Sequence, residues 1–183
     1  MHNIAMVLSF GLVLAAFTGA THLIPSAPPL LDPRPALANP LIDYPGFLAQ
    51  ARAVERVRAE RRLSEPQFAA MLGQPDTLVL DARSADKYAL RHIQGSINLP
   101  FTDFTAASLA RVIPKQDTRV LIYCNNNFAA DPIAFEGKAA PASLNISTYI
   151  ALATYGYTNV YELGPLLDMR TTSLQFAGSA VGK

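Results

Sequence analysis

Short apolar runs with no polar alternation punctuate the chain: Thr77-Leu78-Val79-Leu80 closing on Asp81, Val120-Leu121-Ile122-Tyr123, and Asn159-Val160-Tyr161-Glu162-Leu163. Runs this short and this uniformly apolar predict strands buried on both faces. Ile97-Asn98-Leu99-Pro100 reads as a further, shorter strand. Between them the apolar positions fall at helical spacing over Ser84 to Leu90, Ala106 to Val112, and Ile146 to Tyr155, the last closed by Gly156. Upstream, Ser64 is a good N-cap ahead of Pro66 and Gln67, with Phe68, Met71 and Leu72 as the inward side and Gly73 as the stop. Strands alternating with helices through short loops predict an α/β fold with a small central parallel sheet flanked by helices in three layers.

Residues 47–62 predict a first helix, with Phe47, Leu48, Ala51, Val54 and Val57 on one face and an Arg-rich face that interspersed Glu55 and Glu60 turn into an ordinary solvated surface. Ahead of it, seven prolines from Pro25 to Pro45 predict an extended arm over residues 28–46. Ile4 to Ala20 is uncharged and apolar, then breaks at Pro25, so residues 1–27 read as an export signal delivering the chain to the periplasm. An uncleaved segment of that length would serve instead as a membrane anchor. A single domain is expected at 63–170, followed by a tail at 171–183, small and polar apart from Leu174 and Phe176, that is either a short docked helix or frayed.

Composition removes alternatives. Lys and Arg total 15 against 14 Asp and Glu, a net charge of +1, which excludes the basic surface a nucleic-acid partner needs. The three histidines, His2, His22 and His92, cluster neither with carboxylates nor with the cysteine, so no metal is expected, and no motif calls for a cofactor. One residue stands out: Cys124, the sole cysteine, where the run ending at Tyr123 gives way to Asn125-Asn126-Asn127. It can form no internal disulfide, and the end of a buried strand is where α/β folds hold their ligands, so it is a candidate nucleophile. A small hydrophobe kept in the core is the alternative reading.

The order Leu80-Asp81-Ala82-Arg83, Tyr88, Arg91-His92-Ile93-Gln94-Gly95-Ser96-Ile97-Asn98-Leu99-Pro100 resembles the signature of the rhodanese-like domain family, D-x-R followed by G-H-I-x-G-A-x-N-L-P, with Arg91 and Ser96 replacing glycine and alanine. Val120 to Cys124 is similar to that family's strand before its catalytic cysteine. Gly156-Tyr157-Thr158-Asn159-Val160-Tyr161-Glu162-Leu163-Gly164 is similar to its G-[FY]-x-x-V-x-x-L-x-G segment. The resemblance implies a sulfurtransferase in which the Cys124 thiolate takes the outer sulfur of a small sulfur-containing anion, holds it as a persulfide, and passes it to cyanide or a thiol acceptor. It also implies supporting roles for Asp81, Arg83 and His92, in place of the acid, base or general-base chemistry those residue types could perform alone.

The segment after Cys124 departs from that pattern. Asn125 to Ser143 is longer than the family's usual cradle by about fifteen residues, contains no arginine, and has Lys138 as its only cation beside Asp131 and Glu136. Position 130 is alanine, so a C-x-x-x-x-x-R phosphate loop is excluded. The expected binding wall is therefore Asn125, Asn126 and Asn127, donating amide hydrogen bonds to an anion, with Phe128 and Lys138. Phe128, Ile133 and Phe135 are expected to form an apolar lid. Asn145-Ile146-Ser147 fits a glycosylation pattern, but helix capping is the expected role. Two functional readings remain open: a sulfurtransferase using Cys124, and a non-catalytic rhodanese-fold module whose long loop 125–143 docks a protein partner. A thiol carrier forming mixed disulfides is a third.

Overall fold

The computed structural model describes residues 39–182, which contain one compact unit from Pro40 onward. The segment expected to be an export signal or anchor, and most of that expected to be an extended arm, lie outside the described residues. Among those described, no helix is long and apolar enough to cross a membrane.

Helix α1 (Tyr44–Glu60) begins inside the segment expected to be extended. Pro45 does not prevent this, because a helix's first turn has no use for its missing N–H, and the Asp43 side chain caps the Gly46 N–H at 2.8 Å. Strand β1 (Arg62–Leu63) leads into α2 (Glu65–Met71), where Ser64 and Gln67 form a reciprocal capping box. There follow β2 (Thr77–Asp81), α3 (Ala85–Leu90), β3 (His92–Ile93), β4 (Ile97–Asn98), α4 (Ala106–Val112) and β5 (Arg119–Tyr123). Then come β6 (Phe128–Ala129), α5 (Leu144–Thr154), β7 (Val160–Leu163), β8 (Leu167–Asp168) and β9 (Phe176–Ala177).

The main sheet runs β1-β7-β5-β2-β4 with every pair parallel, so β5 and the residue after it sit at its centre. Alternate residues of β5 feed two cores, which is why its sequence is apolar throughout. Val120 and Ile122 pack with Val54, Leu109, Tyr149, Ile150 and Leu152 of α1, α4 and α5. Leu121 and Tyr123 pack with Phe68 of α2 and with Phe128, Phe135 and Leu174 from outside the helices. Helices thus flank a small parallel sheet, as the alternation of patterns predicts.

The tail and the long loop depart from expectation. The tail is neither a helix nor frayed: β9 pairs antiparallel with β3, Phe176 stacks edge-on against Phe128 (5.3 Å between centroids), and Thr172 and Ser173 both donate to Glu65. Leu174 is 5% exposed within the second core. Leu174→Ala should therefore cost about 2 kcal/mol, the lower end for a buried leucine at a core's edge, measurable by urea denaturation. In the loop, β6 pairs with β8, and Phe128 and Phe135 are buried core residues, their rings 4.5 Å apart. The apolar lid is therefore not formed. The second sheet face needs aromatic cover that α2 is too short to supply, and the loop and tail provide it; Ile133 alone stays outside, 68% exposed.

Candidate functional site

The architecture converges on the C-terminal ends of β2 and β5. Asp81, the last residue of β2, is fully buried and paired with Arg83, whose Nε lies 3.0 Å from Oδ1. The Tyr123 hydroxyl donates to Asp81 Oδ2, and the Arg83 guanidinium donates onward to the carbonyls of Ala134 (2.9 Å) and Arg91 (2.7 Å). One guanidinium thus ties the strand end to the long loop and to the segment before β3. Burial raises the Tyr123 pKa well above its ordinary value, and the neighbouring Asp81 charge adds to the rise, so the hydroxyl remains a donor. For Arg83 burial acts downward, but its bonds to Asp81 more than offset this and the net shift is upward. His92 stacks on Tyr88 (3.7 Å between centroids) and its Nδ1 lies 2.7 Å from the Tyr88 carbonyl, which pins a turn. These residues brace the loops and touch no cavity at the thiol.

Cys124 leaves β5 in extended conformation and caps a single 3-10 turn, residues 125–127. The turn is closed by reciprocal bonds: the Cys124 N–H donates to Asn127 Oδ1 at 2.9 Å, and the Asn127 N–H donates to the Cys124 carbonyl at 3.2 Å while facing the thiol. Ser143 Oγ lies 3.5 Å from the sulfur. The asparagines divide their work. Asn127 Nδ2 donates to the carbonyls of Leu163 (2.7 Å) and Pro165 (3.1 Å), which fastens the turn to the end of β7. Asn126 exchanges both its amide bonds with the Lys138 backbone, at 2.8 and 3.0 Å, and closes the loop's far end. Both residues line the cavity at the thiol, as expected, but their amides are spent on scaffolding and are not left free for an anion. Asn125 is buried and lines a cavity of about 640 Å3, together with Lys87, Phe101 and Lys138. Lys138 thus lines that cavity and not the one at the thiol, and Phe128 belongs to the core.

Cys124 itself, 1% exposed, lines a separate cavity of about 350 Å3 on the β7 side. Its cations come from an unexpected place. Arg58 of α1 and Arg62 of β1 both reach Glu162 on β7: Arg58 forks the carboxylate at 2.9 and 2.8 Å, and Arg62 Nε approaches it at 2.9 Å. Burial pushes the Glu162 carboxyl up, and the two guanidiniums only partly offset that. Asn145 also lines this cavity, buried in the first turn of α5, its Nδ2 donating to Asn127 Oδ1 at 3.0 Å. It is not a helix cap: that position falls to Ser143, so the capping role expected of Asn145 is corrected.

Arg58, Arg62, Ser143, Asn145 and Glu162 were not foreseen as site residues. The one sequence signal was Glu162, an acid inside an otherwise apolar strand, which requires a buried cationic partner. Among the described residues, no group of histidine, cysteine and acidic side chains could hold a metal ion.

A central parallel sheet with a lone cysteine beyond its middle strand, braced by an Asp-Arg pair at the next strand end, defines a rhodanese-type α/β domain. The model of the rhodanese-like domain family matches residues 64–164, and the chain belongs to that family. It is 28% identical over 90 residues to thiosulfate sulfurtransferase PspE of Escherichia coli (strain K12), covering 49% of this chain and 71% of that protein. The BH2092 protein of Bacillus halodurans shares the fold at a TM-score of 0.50 and 16% identity, over 74% of this chain and 88% of the other. A rhodanese-like domain of the Alr3790 protein of Anabaena sp. superposes at 0.49 with 17% identity, over 67% and 83%.

Proposed function

We propose that the protein is a sulfurtransferase that carries sulfane sulfur as a persulfide on Cys124, working in the periplasm. The observation that carries this reading is the place of the thiol: it lies beyond the central strand, receives an N–H from the turn it caps, and lines a cavity walled by two arginines. The distant likeness to a thiosulfate sulfurtransferase supports the same chemistry. In the first half-reaction the Cys124 thiolate attacks the outer sulfur of thiosulfate, the S–S bond breaks, and sulfite departs with the bonding pair. In the second, cyanide or a thiolate attacks the outer sulfur of the persulfide and the Cys124 thiolate leaves. The Asn127 N–H and the Ser143 hydroxyl are placed to stabilise the thiolate in both.

The deep burial of Cys124 favours one rival, a non-catalytic module that docks a protein through the exposed stretch 136–142 of the long loop. Intact mass of the full chain before and after thiosulfate separates the two. Sulfurtransfer predicts a gain of one sulfur atom, about 32 Da, that is absent in Cys124→Ser and discharged by cyanide. No gain in the unsubstituted chain overturns the proposal and leaves the docking module.

A further inference from the structure

The cavity at Cys124 carries more recognition chemistry than thiosulfate uses. Asn127 is fixed in orientation because its Oδ1 faces the Cys124 N–H and its Nδ2 faces two carbonyls. That fixes Asn145 in turn, since its Nδ2 must face Asn127 Oδ1. Asn145 Oδ1 is thereby an acceptor with no partner among the described residues, on a residue 5% exposed. Leaving such an atom buried and unpaired costs about 1–3 kcal/mol, which a ligand donor would relieve. On the same wall Arg58 and Arg62 each commit Nε and Nη2 to Glu162 or to the Gly164 carbonyl, and among the described residues neither Nη1 has a hydrogen-bond partner. Two guanidiniums against one carboxylate leave the wall with one net positive charge. Thiosulfate would satisfy that charge and offers no N–H to Asn145.

We propose that Arg58, Arg62 and Asn145 form a recognition subsite for a small organic sulfur compound bearing a carboxylate and an N–H donor, an amino-acid or short-peptide thiol or its persulfide. The inference rests on Cys124 being the reacting atom proposed above. The carboxylate meets the Nη1 groups, the N–H meets Asn145 Oδ1 once ligand entry opens that solvent-closed atom to the cavity, and the ligand's sulfur is left beside Cys124. The cavity's volume suits a ligand of that size. The arginines lie at positions 58 and 62, just ahead of the stretch matched to the family at 64–164, so they are not among the matched family residues.

The test uses the full chain and needs no sulfur transfer, so it stands apart from thiosulfate loading. Cys124 is alkylated with iodoacetate and with the neutral iodoacetamide, and the rate ratio is referred to that of free cysteine. The subsite predicts an iodoacetate preference raised about tenfold, the scale of one charge-assisted hydrogen bond. Arg62→Gln should abolish it and Arg62→Lys should keep most of it; Arg62 is half exposed, so neither substitution should threaten the fold. S-methyl-L-cysteine should slow alkylation, and analogues lacking the amine or the carboxylate should need about tenfold more. A ratio equal to that of free cysteine, a thiol inert to both reagents, or equal protection by all three compounds overturns the inference. A raised ratio in a chain that gains no sulfur from thiosulfate would keep the subsite and remove the proposed donor.

Discussion

Arg83→Leu should destabilise the domain by about 3–5 kcal/mol, the loss found when one partner of a buried ion pair is removed. Asp81 is fully buried and Arg83 2% exposed, so solvent does not reach the carboxylate to take over from the guanidinium in this fold. The variant strands the carboxylate with only the Tyr123 hydroxyl and the Arg83 N–H as donors, and frees the Ala134 and Arg91 carbonyls as well. Phe135, whose ring lies 4.3 Å from the guanidinium carbon, loses its stacking partner. Removing the charge from both sides should be far milder, because the dominant penalty is an uncompensated ion and not a missing attraction. Urea denaturation of Arg83→Leu, Asp81→Asn and the double variant checks this. A loss below about 1 kcal/mol for Arg83→Leu would mean that the pair does not hold the loop to the sheet.

That pair also marks where the sequence is easy to read and where it is not. The strands at 77–81, 119–123 and 160–163 were legible because burial on both faces leaves an unbroken apolar run, the helix at 65–71 because its Ser64 cap is local, and that at 106–112 because its apolar positions keep helical spacing. Family and fold follow from motifs in which each residue serves the backbone around it. The wall of the site was not legible, for a physical reason. Arg58 is one of several arginines on an exposed helix, and what sets it apart is a carboxylate 104 residues away that has meaning only once β1 pairs with β7. The same holds for the loop: Phe128 and Phe135 look like a lid when read alone, and become core once β9 brings Phe176 against them. The three asparagines after Cys124 look equivalent in sequence, yet adjacent residues of a tight turn point in different directions, and so they reach different partners.

Asn127→Ala should cost about 3 kcal/mol and disable the thiol with it, which separates Asn127 from its two neighbours. The side chain, 4% exposed, holds four groups: the Cys124 N–H, the Asn145 amide, and the Leu163 and Pro165 carbonyls. Removing it leaves at least the Cys124 N–H and the Leu163 carbonyl buried and unpaired, at about 1–3 kcal/mol each before relaxation. Asn127→Asp should not rescue the loss. It keeps the acceptor for Cys124 but sets a carboxylate oxygen against two carbonyls, which is repulsive where the amide was attractive. Asn126→Ala, by contrast, removes bonds at the exposed end of the loop and should cost under about 1 kcal/mol. Denaturation of all three variants, with the alkylation rate of Cys124 read on each, tests the assignment. An Asn127→Asp protein as stable as the unsubstituted chain would show that the β7 carbonyls do not anchor the turn. If its thiol also reacted normally, the placement of Cys124 would have to come from the strand alone.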